Sequence, residues 1–410
     1  MGLRRKIFNG VNYFRGHTMP RYYKLKQINS PEFKKLWSAV ELTQEQRDEI
    51  DEYYIAHYGK KVPYMWHRMY YLFSGKLDKK YFPEHLFIPE YEWISNSENY
   101  YYCLGDKNIT PLIASGIDGL TVPRVYLSCA NGLYRDGEMK CISQRQAEGL
   151  LFNIGRAFIK PTVGSSSGRG CMVVSMSGGF DELSGKSAEE LLTLYGANFT
   201  VQECIEMGES VKRLHPQSVN TFRVITYRTP GAENIHCADT ILRIGMGERH
   251  TDNAHAGGIY VGVNRDGSLK DKAFNDAHDV FTEHPDTHVR FAGYSIPEIR
   301  AVEEKALALH ARIPQLGVVN WDMTVNSNGG WFLSKLTLAA ALLTWRSRRL
   351  GAGYSETIRT RYLNTCAICA SFVRLTTGKQ KIFPGTPKIF LYLTILKQFC
   401  GLIRNIFRVY

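Results

Sequence analysis

From residue 158 to residue 330 the chain runs in short apolar bursts broken by Gly, Asn and Asp. "NTFRVITYR", "IHCADTILRIG" and "GGIYVGVNRDGSL" have the length and β-branched content of strands. "IPEIRAVEEKALALHARI" has apolar positions at helical spacing and predicts an amphipathic helix. Upstream, "VPRVYLSCANGLYRDGE" predicts a hairpin that turns at Asn131-Gly132. "SPEFKKLWSAVELTQEQRDEIDEYYIAHYG" predicts a helix, with Ser30 as N-cap before Pro31 and Gly59 as its stop. From Trp331 onward the chain is rich in Leu, Arg and Thr and fits neither period. No internal repeat is present.

One stretch breaks the strand rhythm in an informative way. In "FIKPTVGSSSGRGCMVV", residues 158–174, a β-type run ends on Lys160, passes through a Gly/Ser loop and resumes at Met172. Such a loop lets backbone N–H groups approach phosphate oxygens, and the lysine adds a point charge. It is not a Walker A loop, because the lysine precedes the glycines. It is not a Rossmann turn, because a strand follows rather than a helix. Taken alone, a generic Gly/Ser loop is better accounted for as an ordinary flexible hairpin.

Composition adds a boundary. The 410 residues are 44% hydrophobic, enough for a large core in two or more lobes, and no apolar run reaches transmembrane length. The first residues lack the apolar segment of a signal peptide, and nine scattered cysteines suggest reduced thiols, so a cytoplasmic location is expected. The net charge of +12 sits entirely in residues 331–410, which hold thirteen Lys/Arg and one acid, Glu356. Residues 1–330 are balanced, which argues against a nucleic-acid-binding surface.

Further polar positions follow the loop in a definite order. "VQECIEMG" is a strand running into a polar break, suited to a hinge that offers backbone groups to an adenine and Glu203 or Glu206 to a ribose. Arg223 lies on a strand after "HPQSVNT", and Arg243, Asp252, Asn253 and His255 share one polar segment. Asp322 ends the apolar run of "GVVNWDMTV" and is a plausible Mg²⁺ ligand. Each has a bland alternative as surface cation, loop histidine or turn former.

Together, "FIKPTVGSSSGRG", "HPQSVNTFRV", "TDNAHAGGIYVGV", "WDMTV" and the upstream "YCLGDKNIT" resemble the sugar-transfer-associated ATP-grasp family, found among bacterial polysaccharide-synthesis genes. The resemblance covers roughly residues 50–330. It implies an α+β ATP-grasp fold, two α+β lobes clasping ATP, at residues 99–330. A helical N-terminal region, 1–98, precedes it and an irregular basic tail, 331–410, follows. It implies nucleotide binding by Lys107 and Lys160, by the loop of Gly164, Ser165, Ser166, Ser167, Gly168 and Gly170, and by the hinge residues Gln202, Glu203 and Ile205. Arg223 and Arg243 fall to catalysis and Asp322 to the metal. ATP and Mg²⁺ are the implied cofactors. The implied reaction activates a small-molecule or sugar-linked carboxylate as an acyl phosphate, which an amine or other nucleophile then attacks.

The chain departs from that pattern at one place. The family's final strand carries Glu-x-Asn, both metal ligands, yet no acid occurs between Asn326 and Ser355. A one-base shift after the Trp331 codon lets the same stretch encode WVLIEANTRGGSIDM, which contains the missing motif. On this reading the final metal-binding strand is missing, 331–410 is an out-of-frame tail, and packing fails from Trp331 onward, with Leu336, Leu338, Leu342 and Leu343 sharing no core. The other reading is a divergent tail in which Glu356 is the only acid. Three function classes remain open: an ATP-dependent ligase, a catalytically impaired nucleotide binder, and a membrane-surface accessory protein that docks through the basic apolar stretch at 387–410.

Overall fold

A computed structural model describes residues 10, 13–92, 95–96, 100, 103–163, 168–228, 233–238, 240–248, 251–296 and 298–337. The tail from residue 338, including Leu338, Leu342 and Leu343 and the stretch at 387–410, lies outside the described residues.

Four helices open the chain: α1 (Met19–Ile28), α2 (Pro31–Ser38), α3 (Gln44–Tyr58) and α4 (Met65–Ser74). Ser30 caps α2 and Gly59 ends α3 in the left-handed conformation, both as expected. The single predicted helix is nevertheless two. Thr43 and Gln46 form a capping box that starts a new helix, because each satisfies the other's orphan backbone donor.

A seven-stranded sheet follows. It comprises β2 (Val125–Ala130), β3 (Leu133–Asp136), β4 (Cys141–Ile142), β5 (Arg156–Pro161), β6 (Met172–Ser177), β7 (Phe180–Asp181) and β8 (Asn198–Gln202), in the order β4-β3-β2-β8-β5-β6-β7. Asn131 and Gly132, at φ 51° and 82°, make the expected two-residue turn. Helices α5 (Gln144–Phe152) and α6 (Ala188–Tyr195) supply Ala147, Leu151, Leu191 and Leu192 to the same core as Ala157, Ile159, Phe199 and Val201. Alternation on β5 therefore leaves Lys160 on the face away from these helices.

The second sheet has nine strands. It takes β1 (Leu120–Thr121) from before the first sheet, then β9 (Thr221–Tyr227), β10 (His236–Cys237), β11 (Ile241–Ile244), β12 (Ile259–Val263), β13 (Leu269–Phe274), β14 (Val280–Phe281), β15 (Val318–Val325) and β16 (Trp331–Thr337). The order is β1-β16-β15-β9-β11-β12-β13-β14, with β10 beside β9. One face carries Phe222, Val224, Leu242, Trp321 and Met323, packed with Val302, Ala306 and Leu309 of α7 (Ile299–Ala311), the predicted amphipathic helix. The other face carries Ile225, Tyr227, Ile241, Tyr260 and Val318, which share a core with Ile50, Tyr54 and Tyr58 of α3. The N-terminal helices are thus built onto the sheet. Asn96 fastens them: its Nδ2 donates to Val318 O and its Oδ1 accepts from the N–H groups of Gly317 and Val318. Any side chain at Gly317 would collide with Ser95, its Cβ falling 2.5 Å from the Ser95 Cβ.

β16 corrects the expectation that order fails at Trp331. It forms antiparallel to β15 and parallel to β1, so it is an interior strand. Trp331 and Leu333 are 2% and 0% exposed, and Leu336, expected to lack a core, is buried in the same one. The physical reason is local: Trp331, Phe332, Leu333 and Leu336 give the strand β-propensity and apolar area enough to complete the sheet.

Among the described residues, Cys103, Cys129, Cys141, Cys171, Cys204 and Cys237 are free thiols, and no helix is long and apolar enough to cross a membrane.

If β16 belongs to the native fold, Leu333→Ala should lower the unfolding free energy by about 2–5 kcal/mol, as for other fully buried leucines. Urea unfolding of the full chain measures it; an unchanged midpoint would mean that the strand contributes nothing.

Candidate functional site

The face of the large sheet that receives the N-terminal helices is apolar only at one end. At the other end it carries Thr221, Arg223, Arg243, Asp322 and Lys335. Asp322 on β15 lies directly across from Arg223 on β9, and across from Lys335 on β16, while Arg243 on β11 lies across from Thr221. Directly opposed residues on neighbouring strands share a face, so four adjacent strands bring these side chains together.

Asp322 is the hub. Arg223 donates to it through a two-pronged fork, Nε to Oδ1 at 2.6 Å and Nη2 to Oδ2 at 2.7 Å. Arg243 donates to the same Oδ2 at 3.2 Å, and to both oxygens of Asp252 at 3.1 and 2.9 Å. Thr221 accepts from Arg243 and donates in turn to Asp252. All of these groups are buried. Burial alone would raise the Asp322 carboxyl, but the guanidiniums of Arg223 and Arg243 hold it well below the usual carboxylate range. Burial would likewise lower Arg243, and Asp252 and Asp322 more than offset it.

Two further lysines meet at the end of β5: Lys160 on the strand itself and Lys107 from the short turn Lys107–Ile109. Lys107 donates through Nζ to Pro161 O at 2.6 Å, and its backbone N–H donates to Thr162 O. Lys160 is pushed down to about 8, first by burial and then by the Lys107 charge. Burial also lowers Lys335, against the pull of Asp322. The charge of Lys335 is felt at both Lys107 and Lys160, so the three ammonium groups belong to one cleft between the sheets. The thiol of Cys171 lies among them and is nonetheless raised, because burial outweighs the lysines. Among the described residues neither Lys160 nor Lys335 forms an ion pair with a carboxylate. Arg223, Arg243 and Lys335 thus lie about Asp252 and Asp322, while Lys107 and Lys160 feel the charge of Lys335, with Asp106, which caps the turn at Lys107, nearby.

Gly164, Ser165, Ser166 and Ser167 of the loop lie outside the described residues. The return limb is described. Gly168 and Gly170 both take left-handed backbone, at φ 74° and 73°, and a Cβ on Gly168 would lie 3.2 Å from Thr251 Cγ2 of the large sheet's segment. Gly168 thus lies beside Thr251, one residue from Asp252. At the hinge, Gln202 ends β8 and Ile205 follows in an irregular, partly buried segment. One oxygen of Glu203, Oε1, accepts from the backbone N–H of Arg124 at 2.8 Å. The side chain of His255 lies outside the described residues.

Asp322, expected as a metal ligand, is instead the shared acceptor of two arginines with a lysine on its other side. Asp252 is occupied by Arg243 and Thr221. A magnesium ion would have to displace these contacts and sit among cations, so the residues present do not fit it. Among the described residues no three His, Cys, Asp or Glu side chains are grouped to hold a metal ion. The group that the sequence reading missed is Lys335, which lay in a segment assigned to no strand.

Asp322→Ala would remove the carboxylate that the buried Arg223 fork grips and one of the acceptors of Arg243, and should cost about 3–5 kcal/mol in urea unfolding. The wild-type pair responds to acid in a defined direction. Because the folded carboxyl is depressed, its stabilisation is complete above the unfolded value near ~3.9 and disappears only as pH falls further. The stability gap between wild type and Asp322→Asn should be flat from pH 7 to pH 5 and shrink in stronger acid. A gap that closes between pH 7 and 5 would contradict the ion-pair assignment.

Solved structures with a related arrangement are remote. The VanG D-Ala:D-Ser ligase from Enterococcus faecalis is 14% identical over 64% of this chain and 60% of its own, with a TM-score of 0.35. The ATP-grasp ligase PsnB, complexed with precursor peptide PsnA2 and AMPPNP, is 11% identical over 66% and 62%, at 0.37. The L-amino acid ligase from Bacillus licheniformis is 13% identical over 57% and 40%, at 0.30. The chain spans less than two thirds of the length of each. No curated protein matches it in sequence. The profile of the sugar-transfer-associated ATP-grasp proteins, however, matches residues 87–336, well over half of the chain and through most of β16. With its two α+β lobes and the cleft between them, the chain belongs to the sugar-transfer-associated ATP-grasp family.

Proposed function

We propose that the cleft binds ATP through its phosphates. The observation that carries this reading is the grouping of Lys107, Lys160, Lys335, Arg223 and Arg243, whose charges are felt through Lys335, beside a glycine-rich loop. Among the described residues these cations outnumber the carboxylates Asp106, Asp252 and Asp322 beside them, a balance suited to a polyanion. The irregular segment after β8 offers backbone groups to the adenine and Glu203 to the ribose.

The family implies an ATP-dependent ligase. In that chemistry a carboxylate oxygen of a small-molecule or sugar-linked substrate attacks the γ-phosphorus and ADP leaves. A nucleophile then displaces phosphate from the acyl phosphate. Arg223 and Arg243 stand where they would steady the transferring group, which needs charge neutralisation and in-line positioning above all. A role in polysaccharide synthesis or modification at the cell surface follows from the family's association with sugar transfer.

A second reading has its own observation. Lys335 across from Asp322 stands where a metal-binding acid would be needed, and this favours a protein that holds nucleotide with little or no turnover. Restoring the WVLIEANTRGGSIDM strand with its in-frame continuation should then bring back Mg²⁺-dependent phosphate release.

Lys160→Ala should weaken binding of a fluorescent ATP analogue by about 1.5–3 kcal/mol, as for loss of a charge-assisted contact. Equal affinities for variant and wild type would remove Lys160, and the loop with it, from the nucleotide site.

A further inference from the structure

The geometry points to a cleft that takes the metal-free form of a nucleoside triphosphate, with the Lys335 ammonium in the role of the neutralising cation. This rests on the proposed nucleotide site and goes beyond it by naming the ionic form of the ligand. Asp322 already accepts three hydrogen bonds from the guanidiniums of Arg223 and Arg243. Its remaining cross-strand neighbour is Lys335, on an interior strand whose neighbouring residues Leu333 and Leu336 are locked in the core. The backbone of residue 335 is therefore held at this place, with its Cβ on the face of Asp322. A Mg²⁺ ion carried in on the nucleotide would meet like charge there, and among the described residues no group of acids is placed to receive it. A bare triphosphate is the complementary partner: the positive surplus of the cleft replaces the charge that magnesium ordinarily contributes in phosphoryl-binding sites.

The test is a titration of the full chain with an ATP analogue, once in EDTA and once in excess Mg²⁺. Binding that is as tight or tighter in EDTA is expected. Binding that requires Mg²⁺ overturns the inference while leaving the nucleotide site intact. Binding in neither buffer overturns both. Lys335→Met should weaken binding in EDTA by about tenfold, the scale of one charge-assisted contact. Lys335→Glu should lose more than that in EDTA and recover part of it in Mg²⁺. A Lys335→Glu protein that stays indifferent to the metal counts against the assigned place of Lys335. Cys171 provides a readout that needs no variant. Nucleotide in EDTA should shield it from a thiol reagent, followed by peptide mass mapping, and unchanged labelling despite measured binding would place the nucleotide elsewhere.

Discussion

The buried carboxylate of Asp322 organises the large lobe. It accepts from two guanidiniums, and those three side chains come from β15, β9 and β11. A charge desolvated to this degree is tolerated only when opposite charge and hydrogen bonds saturate it. Saturation fixes the relative positions of three strands more tightly than apolar packing would, since the fork of Arg223 accepts little angular error. The arginines owe their own tolerable burial to the same contact and to Asp252.

That network also decides how the sheet's second face is divided. One end is covered by aromatic residues of the N-terminal helices, with Tyr54 and Tyr58 packed near Tyr227 and Tyr260. The other end cannot be covered by apolar groups without stranding the charges, so it stays available to the small lobe and to a ligand. The boundary between structure and site is drawn along the strands themselves, a few residues apart on β9: Ile225 and Tyr227 belong to the core, Arg223 and Thr221 to the cleft.

Local rules made much of this legible. The turn at Asn131-Gly132 follows from the backbone that a two-residue hairpin loop demands, and Ser30 follows from the donors a helix start leaves unpaired. Thr43-x-x-Gln46 was equally readable and marks the break between α2 and α3. The pairing of Arg223 with Asp322 spans 99 residues, and no local pattern announces it. Only the family resemblance brought the two together. Lys335 was hidden for a sharper reason. Strict alternation from Trp331 and Leu333 would send residue 335 into the core. The ladder steps from Met323–Leu333 to Asp322–Lys335, so Ser334 is an extra residue and the parity flips. A bulge of one residue moves a lysine from an impossible position to a functional one, and periodicity cannot see it.

The placement of β16 has a consequence for how the molecule is made. It lies between β1 and β15, and Thr121 hydrogen-bonds to Trp331 across 210 residues of chain. The edge of the large sheet must therefore wait, with β1 unpaired, until almost everything described has left the ribosome. The small lobe, whose strands are contiguous in sequence from β2 to β8, has no such delay. Closing so distant a pair is slow, because the entropy of the intervening loop is lost before any contact compensates for it. During synthesis the protein is a finished small lobe tethered to an open one, whose exposed strand edges are the natural substrate for a holding chaperone.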